Sequence, residues 1–460
     1  MFNYKHLAVA IASISAVSVA SAAGLDRSGQ DVTAFLQDGT YGEVVYTYID
    51  ADVSGKDISG NPTSDIAQAY DFGRFGVKAD INDTFSVGVL YDEPWGAAVE
   101  YQGNSNFVAD KNTTATIFAQ AINQGTKARL NDSFTYRRAI KPVLDSVKSP
   151  ERARAVASIL ESNSNSAQTK LITDRLRAAA AHAEATDGQG TNVEIRTQNA
   201  TLLLGAKLGE NKNLQIYGGP QMQRLTGEVH LRGAAYGPMT GYDANIGADM
   251  GYGWVAGVAY HKPEIALKAA LTYRSKIDHE RTIAETIPVT GYQNFQNFKA
   301  TLPDSWNLDF QTGINPTTLL SAKVRYVPWS DFAIRPPQYG TVTATGNNNE
   351  PLPIVNYSKD QWSAELGLGR KVSDKLAVSG SVGYDSGAGN PISTLGPIKG
   401  YYSLGLGAKY NVTPEWSVSL GGKYFKFGDA TAQLPNGTKV GEFNDNDGYA
   451  VGLKLAYQKR

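Results

Sequence analysis

The chain contains no cysteine, which excludes a disulfide-stapled scaffold and removes thiolates as nucleophiles or metal ligands. Histidine is scarce as well, with five in 460 residues. No Ser and acid pair accompanies His182, His230, His261 or His279 in a base–nucleophile pattern, so no catalytic residue is assigned and no enzyme is expected. Charge of either sign is not in excess: 43 basic and 44 acidic residues give a net charge of -1, no footprint for nucleic acid. The acidic run Asn444 to Gly448 lacks the later bidentate Glu of a calcium loop and reads as a solvated turn. Neither a metal nor a cofactor is expected.

Long hydrophobic runs are also missing, apart from the N-terminus. A spanning helix needs about 20 apolar residues, and no later segment approaches that. At the start, Lys5 and His6 precede an apolar run from Leu7 to Val19, closed by Ala20-Ser21-Ala22. A short positive region, a short apolar core and an A-x-A exit describe a secretory signal over 1–22, with a mature start near Ala23 or Gly24.

What is abundant is glycine, 47 residues, and tyrosine, 25, arranged in segments of period two. Ile265, Leu267, Ala269, Leu271 and Tyr273 share one face; Ala266, Lys268, Ala270, Thr272 and Arg274 share the other. The same alternation runs through Trp362 to Gly369, Leu376 to Tyr384, Tyr402 to Tyr410, Trp416 to Tyr424 and Tyr449 to Tyr457. The apolar face often ends in Tyr or Trp, as an interfacial girdle requires. The other face is small or polar and carries Lys268, Arg274, Lys323, Arg325, Glu365, Lys409, Lys423 and Lys454, which belong in a wet lumen and not in lipid. Turns of Asn, Asp, Pro, Gly or Ser alternate with long connections such as 329–360, 386–400 and 429–447. The fold expected is an all-β, transmembrane antiparallel barrel of about fourteen strands over 41–460, in the bacterial outer membrane, both termini periplasmic.

Three segments depart from this rhythm. Within 109–190 the spacing is helical: Ser149-Pro150-Glu151 offers a cap and a first-turn proline, followed by Ala153, Val156, Ala157 and Leu160. Strand parity makes this insert an extracellular loop between the third and fourth strands. Residues 23–40, before the first strand, are a candidate lumenal hatch in which Leu25, Val32, Phe35 and Leu36 are candidate ligand contacts. In the third strand, Phe85, Val87, Val89 and Tyr91 alternate until Asp92, Glu93, Pro94, Trp95 and Gly96 interrupt. Proline cannot donate to a ladder, so this is a candidate gap in the wall.

With Tyr217-Gly218-Gly219-Pro220, Gly257 to Leu267, Asn307 to Gly313 and Val324 to Ser330, the hatch segment and the kink make most of the mature chain resemble the FadL/TodX-type outer-membrane transporters of long-chain fatty acids and hydrocarbons. The Asn-Pro-Ala motif frequent in that family's hatch is missing. The resemblance implies fourteen strands, a hatch inside the barrel and a lateral exit at the kinked third strand. It implies uptake of hydrophobic compounds, long-chain fatty acids first, with a general diffusion porin for small polar solutes as the alternative. A fatty-acid carboxylate would need a lumenal cation; Lys268, Arg274, Lys323 and Arg325 are the candidates. The expected partners are that small hydrophobic molecule and outer-membrane lipid with lipopolysaccharide, for a barrel acting as a monomer.

Overall fold

The computed structural model describes residues 25–288, 290–344 and 350–459. The expected signal peptide and the start near Ala23 or Gly24 lie outside the described residues. Fourteen antiparallel strands form a closed wall. The first are β1 (Thr40–Asp52), β2 (Tyr70–Asp80) and β3 (Phe85–Asp92, resumed at Gly96–Glu100). Next come β4 (Asn192–Leu208), β5 (Leu214–His230) and β6 (Asp243–Lys262). Two more broken strands follow, β7 (Leu267–Arg274, then Ile277–Ile287) and β8 (Tyr292–Leu302, then Ser305–Asn315). The rest are β9 (Thr318–Val327), β10 (Gln361–Lys371), β11 (Leu376–Asp385), β12 (Lys399–Asn411), β13 (Trp416–Gly428) and β14 (Asp447–Lys459). β14 closes on β1 from Thr40↔Lys459 to Asp52↔Asp447, so the sheet has no free edge to satisfy.

Period two becomes two environments. On β14, Tyr449, Val451, Leu453 and Leu455 are exposed, whereas Ala450, Lys454 and Ala456 are buried in the lumen. Exposed apolar side chains recur around the whole wall, the band a bilayer would cover. Outward rings line one rim, where Trp254–Tyr273, Tyr273–Trp306, Tyr326–Trp362 and Tyr384–Tyr402 lie with centroids 4.6 to 5.2 Å apart. Trp416–Tyr457 marks the other rim. At that end, short turns are held by their own side chains; the Asn82 amide oxygen accepts from Thr84 and Phe85 N–H, both 2.8 Å.

Between β3 and β4 stand four helices, α1 (Lys111–Arg129), α2 (Lys141–Asp145), α3 (Pro150–Asn163) and α4 (Ala167–Ala185). Three have side-chain N-caps: Asp110, Ser149 and Ser166 accept from the N–H three residues on. Phe118, Leu144, Val156, Leu160, Ile172 and Leu176 give the helices a core of their own. The base is pinned where Ala109 and Gly188 donate to Gln189 and Ala109 carbonyls, both 2.8 Å.

The long connections fold over the barrel mouth. A small sheet joins Gly55–Asp57, Ile392–Ser393, Ala430–Gln433 and Lys439–Phe443. A short helix, α5 (Pro337–Ala344), is held by the Glu285 carboxylate of β7, which accepts from Gln338 and Tyr339 N–H at 2.9 Å. An acceptor at a helix N-terminus satisfies otherwise orphaned donors. Tyr101, Phe107, Tyr236, Trp329 and Phe443 pack below as one aromatic core.

Candidate functional site

From Leu25 onward the chain preceding β1 runs through the lumen. Val32, Ala34, Phe35 and Leu36 are buried against Tyr41, Leu90, Leu203 and Tyr217 of the wall. Inward glycines make that fit. A Cβ on Gly88 would come within 2.7 Å of the Phe35 ring, and one on Gly76 within 2.8 Å of Ala34. The Phe35 and Tyr217 centroids are 5.7 Å apart.

Polar ties fix the rest of the hatch. Arg325 donates to both Asp26 carboxylate oxygens, at 2.6 and 3.2 Å, and to Gln30 Oε1 and Asn307 Oδ1 at 3.1 and 2.7 Å. Asp31 meets Lys323 at 2.7 Å and Arg74 at 3.6 Å. Burial alone would raise the Asp31 carboxyl, but these two cations outweigh it and hold the group well below the usual carboxylate range. Lys268 donates to the Leu36 carbonyl at 2.8 Å, and Arg274 to the Gln30 carbonyl at 3.4 Å. The four cations expected to receive a ligand carboxylate therefore have another partner. The hatch brings its own carboxylates and carbonyls to them, and they serve as its anchors.

The kink forms a window. Below it, β2 and β3 pair from Asp80↔Ser86 up to Phe75↔Tyr91. Above Tyr91 the ladder between them stops: Tyr70 to Arg74 run along β1, Gly96–Glu100 runs along β4, and the Glu93 carboxyl faces the Gly73 N–H across the gap. Contact resumes at the top, where Ala67 bridges Val99 and Glu100 N–H donates to the Ile66 carbonyl at 2.9 Å. Against β4 the same stretch is a bulge, since three residues between Asp92↔Asn199 and Gly96↔Arg196 face two. The interruption bends inward. Pro94 carbonyl accepts from Arg27 N–H at 2.8 Å, Gly96 N–H donates to the Leu25 carbonyl at 2.7 Å, and Ser28 Oγ donates to Asp92 at 2.9 Å. The kink thus trades its missing rungs on β2 for hydrogen bonds to the hatch. Trp95 is buried edge-on to Trp329, centroids 5.3 Å apart.

Two of the cavities that border the hatch lie at its lower and upper ends. The lower one, about 110 Å³, is mixed: Gln37, Asp309, Lys323, Glu365 and Lys423 border it together with Leu36, Phe310, Leu319 and Leu368. The upper one, about 100 Å³, is apolar and adjoins the window; Ile49, Tyr70, Val99, Ile398, Phe425 and Phe427 border it, with Asp26 and Arg27 of the hatch. Of the four apolar hatch candidates, Leu36 borders the lower cavity and Leu25 joins the upper core. Val32 and Phe35 are spent on the wall. The hatch residues facing the apolar cavity are Asp26 and Arg27, which period-two reading passed over because it examined charges only on strands. No cluster of His, Cys, Asp and Glu able to hold a metal occurs among the described residues.

A closed fourteen-stranded barrel with an apolar outer band, a lumenal hatch and a laterally interrupted wall defines an outer-membrane channel of the hatch-bearing kind. Residues 185–458 match the model of the outer membrane protein transport protein family (OMPP1/FadL/TodX), and the chain belongs to that family, in the bacterial outer membrane. No curated protein matches it in sequence. Among solved structures it is similar to a Pseudomonas aeruginosa FadL homologue, with 15% identity, 91% of this chain and 90% of that one covered, and a TM-score of 0.59. It is similar to the P. putida toluene transporter TodX at 10% identity, covering 93% and 92%, with a TM-score of 0.54. For the Ralstonia pickettii toluene transporter TbuX the values are 11% identity, 99% and 97% covered, and a TM-score of 0.51. At these identities the likeness is one of fold.

Proposed function

We propose that this protein takes up hydrophobic compounds, long-chain fatty acids first, binding them above the hatch and releasing them sideways into the membrane through the window at Asp92, Glu93, Pro94, Trp95 and Gly96. The observation that carries this reading is the juxtaposition of the apolar cavity with the unpaired stretch of β2 and β3. An apolar ligand gains by moving from such a cavity directly into lipid, whereas passage downward goes by the charged side chains of Asp309, Lys323, Glu365 and Lys423. Unpaired backbone in a membrane wall is tolerable where it lines a cavity and finds internal partners, as the kink does on the hatch. In this reading Leu25 and Leu36 respond to ligand by moving with the hatch, and Val32 and Phe35 hold its resting position. The barrel acts as a monomer among outer-membrane lipid and lipopolysaccharide.

Relatives of the same fold include proteins described as toluene transporters, which supports hydrophobic cargo. A general diffusion porin would need a continuous aqueous lumen, and here hatch and aromatic core occupy it. The test is to straighten the kink with Pro94→Val and Gly96→Val and to follow uptake of labelled palmitate by whole cells. Uptake should fall while the barrel still assembles. Uptake at the original rate would mean that the ligand leaves elsewhere.

A further inference from the structure

Many of the cations buried in the lumen are matched by a carboxylate, and Arg274, which is not, has hydrogen-bond acceptors instead. Arg74, Lys323, Arg325, Lys423 and Lys454 each lie within ion-pair distance of a carboxylate. Arg27 differs. Its residue is only 5% exposed, yet its guanidinium has no hydrogen-bond acceptor and no carboxylate within ion-pair distance among the described residues. It stands over the Tyr70 ring, 3.8 Å from the centroid. It also lies against Gly96, where a Cβ would come within 2.6 Å of its central carbon. Of the neighbouring carboxylates, Asp26 is committed to Arg325 and Glu194 to Arg196 at 2.8 Å, while Glu93 of the kink lies near Arg27 but outside ion-pair distance. The ring of Tyr70 steadies a cation by its face but leaves the in-plane N–H donors unmet. Those donors border the apolar cavity beside the window.

Building on the uptake reading above, we propose that Arg27 is the carboxylate receptor of this transporter, so that a fatty acid is held with its head on the hatch and its chain in the apolar cavity. A guanidinium forks two parallel N–H groups onto a carboxylate, the bidentate match that a buried arginine without an acceptor lacks. The tail then meets Ile49, Val99, Ile398, Phe425 and Phe427, and the other charge on the cavity, Asp26, is held by Arg325. This placement also joins recognition to the gate. The Arg27 N–H is bonded to the Pro94 carbonyl and its side chain lies on Gly96, so a ligand that pulls the guanidinium pulls on the kink.

The experiment uses the full-length protein purified in detergent, titrated calorimetrically with dodecanoate and with its uncharged counterpart, dodecan-1-ol. Wild-type protein should prefer dodecanoate. Arg27→Gln should weaken dodecanoate about 10- to 100-fold, the worth of hydrogen bonds to a charged group, and leave dodecan-1-ol within about twofold. Arg27→Lys, which keeps the charge without the fork, should fall between. Equal dodecanoate affinity in wild type and Arg27→Gln overturns the assignment, and so does an Arg27→Gln protein that loses both ligands equally. If the variants fail to assemble, the wild-type comparison alone decides: no preference for dodecanoate over dodecan-1-ol overturns the proposal. Failure of wild type to bind either compound would instead overturn the uptake reading on which it rests.

Discussion

Replacing Arg325 with Met isolates what holds the hatch shut. Arg325 of β9 makes four hydrogen bonds, three to the hatch, two of these to Asp26, and one to Asn307 of β8. Methionine keeps much of the volume and removes all four. Gln30 Oε1 keeps an acceptor role toward Ser305 Oγ at 2.6 Å, so the loss falls on Asp26, a carboxylate 3% exposed. Breaking one partner of a buried ion pair costs about 3–5 kcal/mol, because a charge is left uncompensated. Asp26 and Arg325 both border a cavity of about 80 Å³, which water can use to solvate the orphan, so the lower end applies. About 3 kcal/mol corresponds to roughly a hundredfold shift from docked to undocked hatch. Single-channel recording in planar bilayers should show open events rising by about that factor. Heat-modifiable gel migration should be unchanged, since the β1–β14 closure is untouched. Adding Asp26→Asn should return the channel toward wild type, because it removes the orphaned charge. An Arg325→Met channel as quiet as wild type would refute the view that this pair keeps the hatch docked.

Three further outcomes are expected. Phe35→Ala removes a ring fitted against Gly88 and Gly205 and should undock the hatch by about 3–5 kcal/mol, read as conductance in an intact barrel. Asp31 has a depressed pKa, so its stabilisation is complete above the ordinary carboxylate range and is lost only as pH falls through the lower folded value. Conductance should therefore stay at its neutral level down to about pH 4, while Asp31→Asn should release the hatch already at pH 7. Leu176, 1% exposed in the helical insert, should when changed to Ala cost the helices about 2–5 kcal/mol; proteolysis should then nick 110–188 while the barrel remains heat-modifiable.

The barrel was legible because its two solvents impose a code on every strand. Lipid outside and hatch or water inside make residues i and i+2 share an environment, so one strand segment such as Leu267 to Arg274 already separates Leu271 from Thr272 and Arg274. Local chemistry was legible for the same reason: Pro94 carries its missing donor wherever the chain folds, and Ser149-Pro150 caps a helix with its own side chain. What could not be read is which distant group fills a lumenal position. Lys323 and Arg325 occupy inward sites on β9, and alternation says no more than that; a ligand carboxylate and Asp26 or Asp31 of the hatch would leave the same pattern. Gly76, Gly88 and Gly205 also fall on the inner face, but their purpose appears only when Ala34 and Phe35 are seen against them.

Arg27 was hidden by the converse effect. It lies on no strand, so periodicity assigns it no face, and in a polar segment beside Asp26 it resembles a solvated charge. Its burial follows from two long-range events: the hatch enters the lumen, and the kink turns inward to meet it. Each needs the other, because the hatch supplies the backbone partners that the kink lacks and the kink supplies Gly96, where Arg27 can lie flat. A straight third strand would pair with β2, close the window and leave the guanidinium no place against Tyr70. The interrupted strand, the glycine at its end and the arginine in the hatch are therefore one device, and a change to any of the three should be felt at the other two.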